Sequence, residues 1–327
     1  MSQQQASPWR RVAIAGLLAS LTIVGFAWDG VEAGAPRRDP QSVRQTADKH
    51  VVHGPNYHPP YSAIVIDDNS GQVLHDENAD EPRHPASLTK IMTLYLLFEQ
   101  LEAGKLKLNT PLQVSAFAAL QPPTKLGLKT NQALAVEDAI KGLVTCSAND
   151  AAVVVDEAIA GSEAEFAKLM TKKARALGMT NTTYINASGL PADEQITTAR
   201  DQALLGLAIQ ERFPSYYHYF SMSVFRYHGR EMLNHNALLG QVEGVDGVKT
   251  GYTEASGYNL VVSVRRNEKH IIAVVVGGTS NAMRNARMRE LITRYMPGAV
   301  AGPKQSYVRR PGFEQEVQPS DARFGNL

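Results

Sequence analysis

The stretch His84-Pro85-Ala86-Ser87-Leu88-Thr89-Lys90-Ile91-Met92-Thr93 opens a helix signal that runs over residues 87–102, with Gly104 just beyond it as a stop. Ile91, Met92, Leu94, Tyr95, Leu96, Leu97 and Phe98 leave that helix almost no polar face. A helix that is apolar nearly all round belongs at the centre of a domain. At its start Ser87 and Lys90 stand three residues apart, on one helical face.

Working outward, residues 63–67 and 72–76 read as short strands around the turn Asp68-Asn69-Ser70-Gly71. Beyond the apolar helix, residues 136–144, 149–160 and 162–177 read as helices. The third carries a Ser162/Glu165 capping box and is followed by Gly178. Thr198 with Asp201 offers another helix start before residues 202–210. The pattern then turns extended at 248–252, 258–266 and 270–277, with Asn267-Glu268-Lys269 as a turn, and residues 284–295 close with a helix. Strands at both ends and helices between them predict an α+β fold whose antiparallel sheet draws strands from both ends of the chain. No internal repeat is visible.

Composition narrows the class. The chain has 327 residues and a net charge of +1, without the basic footprint of a nucleic-acid binder. Its 43 % hydrophobic and 20 % charged residues suit a folded core. The single Cys146 excludes an internal disulfide framework and a Cys-rich zinc module. Residues 1–35 read as an export signal: Arg10-Arg11, then an apolar run over 12–27, then the small-x-small Ala33-Gly34-Ala35. Contact with a membrane is expected only if that segment stays uncleaved. Residues 36–60 read as a linker, in which His50, His53 and His58 are read as solvated and not as a metal site. Residues 297–327 read as a loop-like tail, leaving 61–296 as the folded unit, and neither metal nor cofactor is implied.

Ser87-Leu88-Thr89-Lys90 can pair a nucleophile with its base. Serine needs a neighbouring base at neutral pH, and lysine can serve if burial or a second cation lowers its pKa. Such a spacing arises by chance about once in a chain this long, so alone it carries little. Ser147-Ala148-Asn149 offers a second hydroxyl able to relay a proton and an amide able to orient the lysine; ordinary helix capping is the competing reading. Lys249-Thr250-Gly251 lies on a strand, where Lys and Thr can bind a carboxylate and Gly lets a ligand approach the backbone. It is no phosphate loop, because Val248 precedes the lysine and a strand continues where a helix should begin. Cys146 is read as a small buried hydrophobe and not as a nucleophile.

Together, and in this order, the three motifs match the signature of penicillin-binding proteins and class A β-lactamases. They stand 60 and 102 residues apart, in helix, loop and strand contexts. The opening phrase, with Asn186-Ala187-Ser188-Gly189-Leu190-Pro191, Thr197-Thr198-Ala199-Arg200-Asp201 and Gly244-Val245-Asp246-Gly247-Val248-Lys249-Thr250-Gly251-Tyr252-Thr253, resembles the low-molecular-mass D-alanyl-D-alanine carboxypeptidases, serine peptidase family S11. The resemblance implies a β-lactamase/transpeptidase-like fold: an antiparallel sheet flanked by helices, plus a mostly helical lobe. It also implies that Ser87 attacks the penultimate D-Ala carbonyl of a peptidoglycan stem peptide, with Lys90 as base and Ser147 as proton relay. Asn149 would position Lys90 and the substrate, and the backbone N–H groups of Ser87 and Tyr252 would form the oxyanion hole. Lys249 and Thr250, beside Gly251 and assisted by Arg284, would hold the terminal carboxylate. β-Lactam antibiotics would acylate Ser87, and action outside the cytoplasm would follow export.

Two departures stand out. Tyr252 occupies a position where family members often carry His, and a second C-terminal β-domain with an amphipathic anchor is not expected in this chain. No candidate appears for a separate deacylating glutamate, so slow release of bound penicillin is expected. Rival readings with the same residues are a DD-endopeptidase acting on cross-links, a non-hydrolytic penicillin-binding sensor and a true β-lactamase.

Overall fold

A computed structural model describes residues 57–303. Residues 1–35, read above as an export signal, residues 36–56 of the expected linker with His50 and His53, and residues 304–327 lie outside the described residues. The strands are β1 (Ser62–Asp67), β2 (Val73–Glu77), β3 (Pro111–Gln113), β4 (Ala133–Ala135), β5 (Val224–Tyr227), β6 (Arg230–Leu233), β7 (Val245–Thr253), β8 (Gly257–Arg266) and β9 (Lys269–Gly278). The helices are α1 (Thr89–Glu102), α2 (Ala116–Ala119), α3 (Val136–Val144), α4 (Asn149–Ala160), α5 (Glu163–Ala176), α6 (Ala199–Arg212), α7 (Pro214–Tyr217) and α8 (Asn281–Tyr295).

The main sheet has the order β2-β1-β9-β8-β7, antiparallel throughout. The first hairpin therefore docks against the last strand of the sheet, Ala63 opposite Val275 and Val65 opposite Ala273. Both faces are covered. Ala63 and Val65 on β1, with Val262, Ala273 and Val275, pack against Met288, Leu291 and Ile292 of α8. Ile64 and Ile66, with Val261, Ile272 and Val274, face the larger core that holds α1 and α6. Strands buried on both faces read as near-continuous apolar runs, as β8 and β9 do.

Helix α1 is surrounded by α3, α4, α5 and α6, and Ile91 through Phe98 are all buried. The helical lobe is thus built around the element that carries Lys90. Two starts differ from the sequence reading, at α1 and α8. Residues Ala86–Leu88 form a 3-10 turn and α1 begins only at Thr89. Helix α6 starts from the expected Thr198 cap, whose Oγ1 accepts from Asp201 N, and its first turn from Ala199 precedes the 202–210 run. Helix α8 begins at Asn281, capped by Ser280. The two-stranded β3–β4 sheet and the β5–β6 hairpin are additions that the sequence pattern did not announce. The packed body also passes slightly beyond 61–296. Tyr57 OH donates to Ala255 O at 2.9 Å, and Val300 N donates to Asp67 Oδ2 at 3.0 Å. Among the described residues no helix is long and apolar enough to cross a membrane.

Candidate active site

Ser87 sits in the 3-10 turn, wedged between the sheet and the loop over 186–191. Asn259 on β8 donates to His84 O and Pro85 O, each at 3.2 Å, and ties the turn to the sheet. On the other side Gly189 comes so close that a Cβ there would lie 1.9 Å from Ala86 O. Ala86 is held at φ +48°, a left-handed conformation that a non-glycine residue adopts only under constraint. Gly251 on β7 makes the third approach: a Cβ there would meet Pro85 O at 3.0 Å and Ser87 N at 3.1 Å. Only a bare backbone lets β7 run this near the turn.

Lys90 is fully buried. Its Nζ lies 3.1 Å from Ser87 Oγ, 2.8 Å from Asn149 Oδ1 and 2.5 Å from Ser188 O. Burial, reinforced by the charge of nearby Lys249, holds this amine well below the ordinary lysine range. A neutral amine has two hydrogens and one lone pair. Ser188 O can only accept, and so can Asn149 Oδ1, whose amide is oriented by its Nδ2 donating to Pro122 O at 3.0 Å. In that neutral form the two hydrogens can go to those oxygens, which turns the lone pair toward the Ser87 hydroxyl.

Ser147 lies in the turn between α3 and α4 at φ +59°, and its buried Oγ has no hydrogen-bond partner among the described residues. Buried hydroxyls normally find one, so an orphan at a cleft marks a group kept for something that enters. The capping reading of this motif does not hold. The residue at the N-cap of α4 is Ala148, with no side-chain cap, and Asn149 spends its side chain on Lys90 and Pro122. Cys146 donates weakly to Gly142 O at 3.4 Å, and burial pushes its thiol up, away from the thiolate a nucleophile needs.

Lys249 is also buried, with Nζ donating to Thr250 O at 3.0 Å, and burial pushes it down to about 7. Arg284 is buried at the start of α8. Its guanidinium donates to Asn285 Oδ1, Asn259 O and Asn281 Oδ1, and burial lowers it to about 10. None of its described partners is a carboxylate. Tyr252 is half exposed, its ring 4.3 Å from that of Tyr258 between centroids.

These groups surround a cleft of about 340 Å³. Ser87, Ser147, Asn149, Thr250, Gly251, Tyr252 and Arg284 all line it, whereas Lys90 and Lys249 lie behind its floor. A second hollow of about 220 Å³ shares Gly189, Leu190 and Thr253 with it and extends the groove. Every site residue singled out from the sequence is therefore brought to one place. Three contributors were not singled out. Ser188 acts through a backbone oxygen, though its phrase had been noticed; Pro122 orients an amide from a loop without a motif; and His235 lines the cleft from a loop between β6 and β7.

Fold and site together define a transpeptidase-like domain of the kind found in penicillin-binding proteins, with a serine and a buried lysine at its cleft. Residues 49–280 match the family described as D-alanyl-D-alanine carboxypeptidase, Peptidase_S11, and the chain belongs to that family. It is 39 % identical over 239 residues to the D-alanyl-D-alanine carboxypeptidase DacA of Escherichia coli, covering 71 % of this chain and 59 % of the relative. The chain thus spans about three-fifths of that relative's length. The crystal structure of DacD from Francisella tularensis superposes with a TM-score of 0.69 at 30 % identity, covering 72 % of this chain and 69 % of that one. Penicillin-binding protein D2 of Listeria monocytogenes in its ampicillin-bound form does so with a TM-score of 0.63 at 30 % identity, covering 71 % and 95 %.

Proposed function

We propose that this protein is a serine-type D-Ala-D-Ala carboxypeptidase that removes the terminal D-alanine from peptidoglycan stem peptides outside the cytoplasm. The observation that carries this is the buried Lys90, whose Nζ lies within hydrogen-bond distance of Ser87 Oγ, Asn149 Oδ1 and Ser188 O. As the Ser87 Oγ–H proton passes to Lys90 Nζ, Oγ bonds to the penultimate D-Ala carbonyl carbon. The tetrahedral oxyanion is received by the backbone N–H groups of Ser87 and Tyr252, which the close approach at Gly251 brings to the same wall. When the C–N bond breaks, the proton moves from Lys90 through Ser147 Oγ to the departing amine of D-alanine. Water then attacks the ester on Ser87, giving its proton back through Lys90, and the shortened peptide leaves with Ser87 restored.

Binding follows from the walls. β7 is the edge strand of the main sheet, with β8 as its one strand neighbour among the described residues, so an extended peptide could add alongside it at the cleft. Thr250 and Arg284 line the cleft, and Lys249 lies behind it as a charge available to the terminal carboxylate. The hollow beyond Leu190 gives a longer stem peptide room past the reacting bond. A β-lactam, which carries a carboxylate beside its reactive carbonyl, would acylate Ser87. Among the described residues no Asp or Glu lines the part of the cleft around Ser87, Asp193 and Glu254 standing in the hollow beyond Leu190, which supports slow release of that adduct. The experiment is D-alanine release from a pentapeptide by the full chain and by Ser87→Ala. The wild type should release it and the variant should not; undiminished release by the variant would end this reading.

A further inference from the structure

The loop over 186–191 packs against the Ser87 turn and supplies one of the two oxygens that hold the lysine. Lys90 Nζ donates to Ser188 O at 2.5 Å, and the direction of that oxygen is set from the far side of its own peptide group. The Ser188–Gly189 bond is trans, so its C=O and N–H point to opposite sides. Gly189 N donates to Asn186 Oδ1 at 2.7 Å. With its N–H held there, the peptide presents Ser188 O on the other side, where Lys90 stands.

Asn186 is itself held. Its Nδ2 donates to Leu190 O at 2.9 Å, which settles which way the amide is turned. Gln195 Oε1 accepts from Asn186 N at 3.1 Å and from Ile185 N at 3.0 Å. Asn186 and Gln195 are both buried, where a polar group left unpaired is costly. The peptide needs such a hold, because Gly189 sits at φ +83° and has no side chain to resist rotation of the unit.

Resting on Lys90 as the base of Ser87, we propose that Asn186 is a positioning residue for that base, keeping an acceptor and not a donor turned toward the amine through the Ser188–Gly189 peptide. Asn149 does the same directly, with its own Oδ1. Were the peptide to turn over, Gly189 N–H would face the amine and take the lone pair that Ser87 needs. The lysine would stay buried and close to Ser87, yet it could not accept the hydroxyl proton. Asn186 therefore acts on the chemical step and not on the walls that bind the ligand.

The test is acylation of the full chain by penicillin, with the rate constant of the chemical step separated from the dissociation constant of the non-covalent complex, followed across pH. Asn186→Ala is expected to slow the step at least ~10²-fold while the dissociation constant stays within about threefold of wild type. Asn186→Asp keeps an oxygen for Gly189 N, so it should recover roughly tenfold over Asn186→Ala at high pH. It also sets a carboxylate near the amine, which favours the charged lysine and moves the rise of rate with pH upward. Melting temperatures are read in parallel, and if Asn186→Ala does not fold, the Asn186→Asp profile decides alone: a rise at the wild-type pH overturns the proposal. So does an Asn186→Ala rate within twofold of wild type, a loss carried by the dissociation constant, or an Asn186→Asp as slow as Asn186→Ala at every pH. A wild type that penicillin does not acylate removes the reading of Ser87 and Lys90 beneath it.

Discussion

Ser87 and Ser263 each stand beside a nitrogen base that is itself oriented by another group. Ser87 Oγ is 3.1 Å from Lys90 Nζ, which Asn149 and Ser188 hold. Ser263 Oγ is 3.0 Å from His270 Nε2, and His270 Nδ1 is 2.8 Å from Asp68 Oδ2. By distance alone the second set resembles a Ser-His-Asp triad more closely than the first does. What separates them is everything around the hydroxyl. Ser263 is fully buried between β8, β9 and Gln210 of α6, whose Oε1 lies 3.0 Å from its Oγ. Ser87 opens on a cleft with an orphaned hydroxyl and a cationic arginine that has no described carboxylate partner. A base within reach is required for nucleophilic serine chemistry, but a place for substrate and groups left waiting for it decide which serine reacts.

The comparison can be broken most sharply by exchanging the two serines' fates. Ser87→Ala should reduce acylation by penicillin at least ~10³-fold, because Ser87 is the cleft hydroxyl that lies within hydrogen-bond distance of the Lys90 amine. Rapid-quench acylation assays measure this. Next comes Asn149→Ala, which leaves Ser87 and Lys90 in place but frees the amine to turn. A misplaced base costs on the order of 10²-fold in acylation rate, with thermal stability read in parallel to exclude unfolding.

The pH profile sharpens the same contrast. Acylation needs neutral Lys90, so the rate rises with pH through its depressed titration. Carboxylate binding draws on charged Lys249, so affinity falls as pH rises through about 7. The predicted kcat/KM against pH is a bell whose alkaline limb moves upward in Lys249→Arg, since an arginine keeps its charge there. The smallest effect belongs to Ser263→Ala. It removes a buried hydrogen bond worth about 1 kcal/mol of stability and should leave the acylation rate within twofold of wild type. Loss of acylation with a normal melting temperature would mean that the Ser263 cluster has a part in the chemistry after all.

Much of this was legible in the sequence, and the limits have physical causes. The apolar girdle from Ile91 to Phe98 announced a central helix, and the three motifs announced the side chains that meet at the cleft. The 3-10 turn at Ser87 was read as helix because its residues have no adverse helical pattern; the conformation is imposed by the backbones of Gly189 and Gly251, which are distant in sequence. Ser188 was hidden for a related reason: it works through a carbonyl oxygen that any residue would supply. Asn149 was weighed as a helix cap because residue type alone does not say which way an amide points. The β5–β6 hairpin was missed because Val224 and Leu233 leave their side chains exposed, which blurs the alternation that marks a strand. His235 carries no motif, and it reaches the cleft only because the loop between β6 and β7 folds back beside the second motif.

The most direct test of the central claim is peptide mass spectrometry of the full chain after exposure to penicillin. The account predicts a single stoichiometric adduct on the peptide that holds Ser87, absent from Ser87→Ala and present in Ser263→Ala. An adduct on Ser147, Cys146 or Ser263, or an adduct that persists in Ser87→Ala, would contradict it.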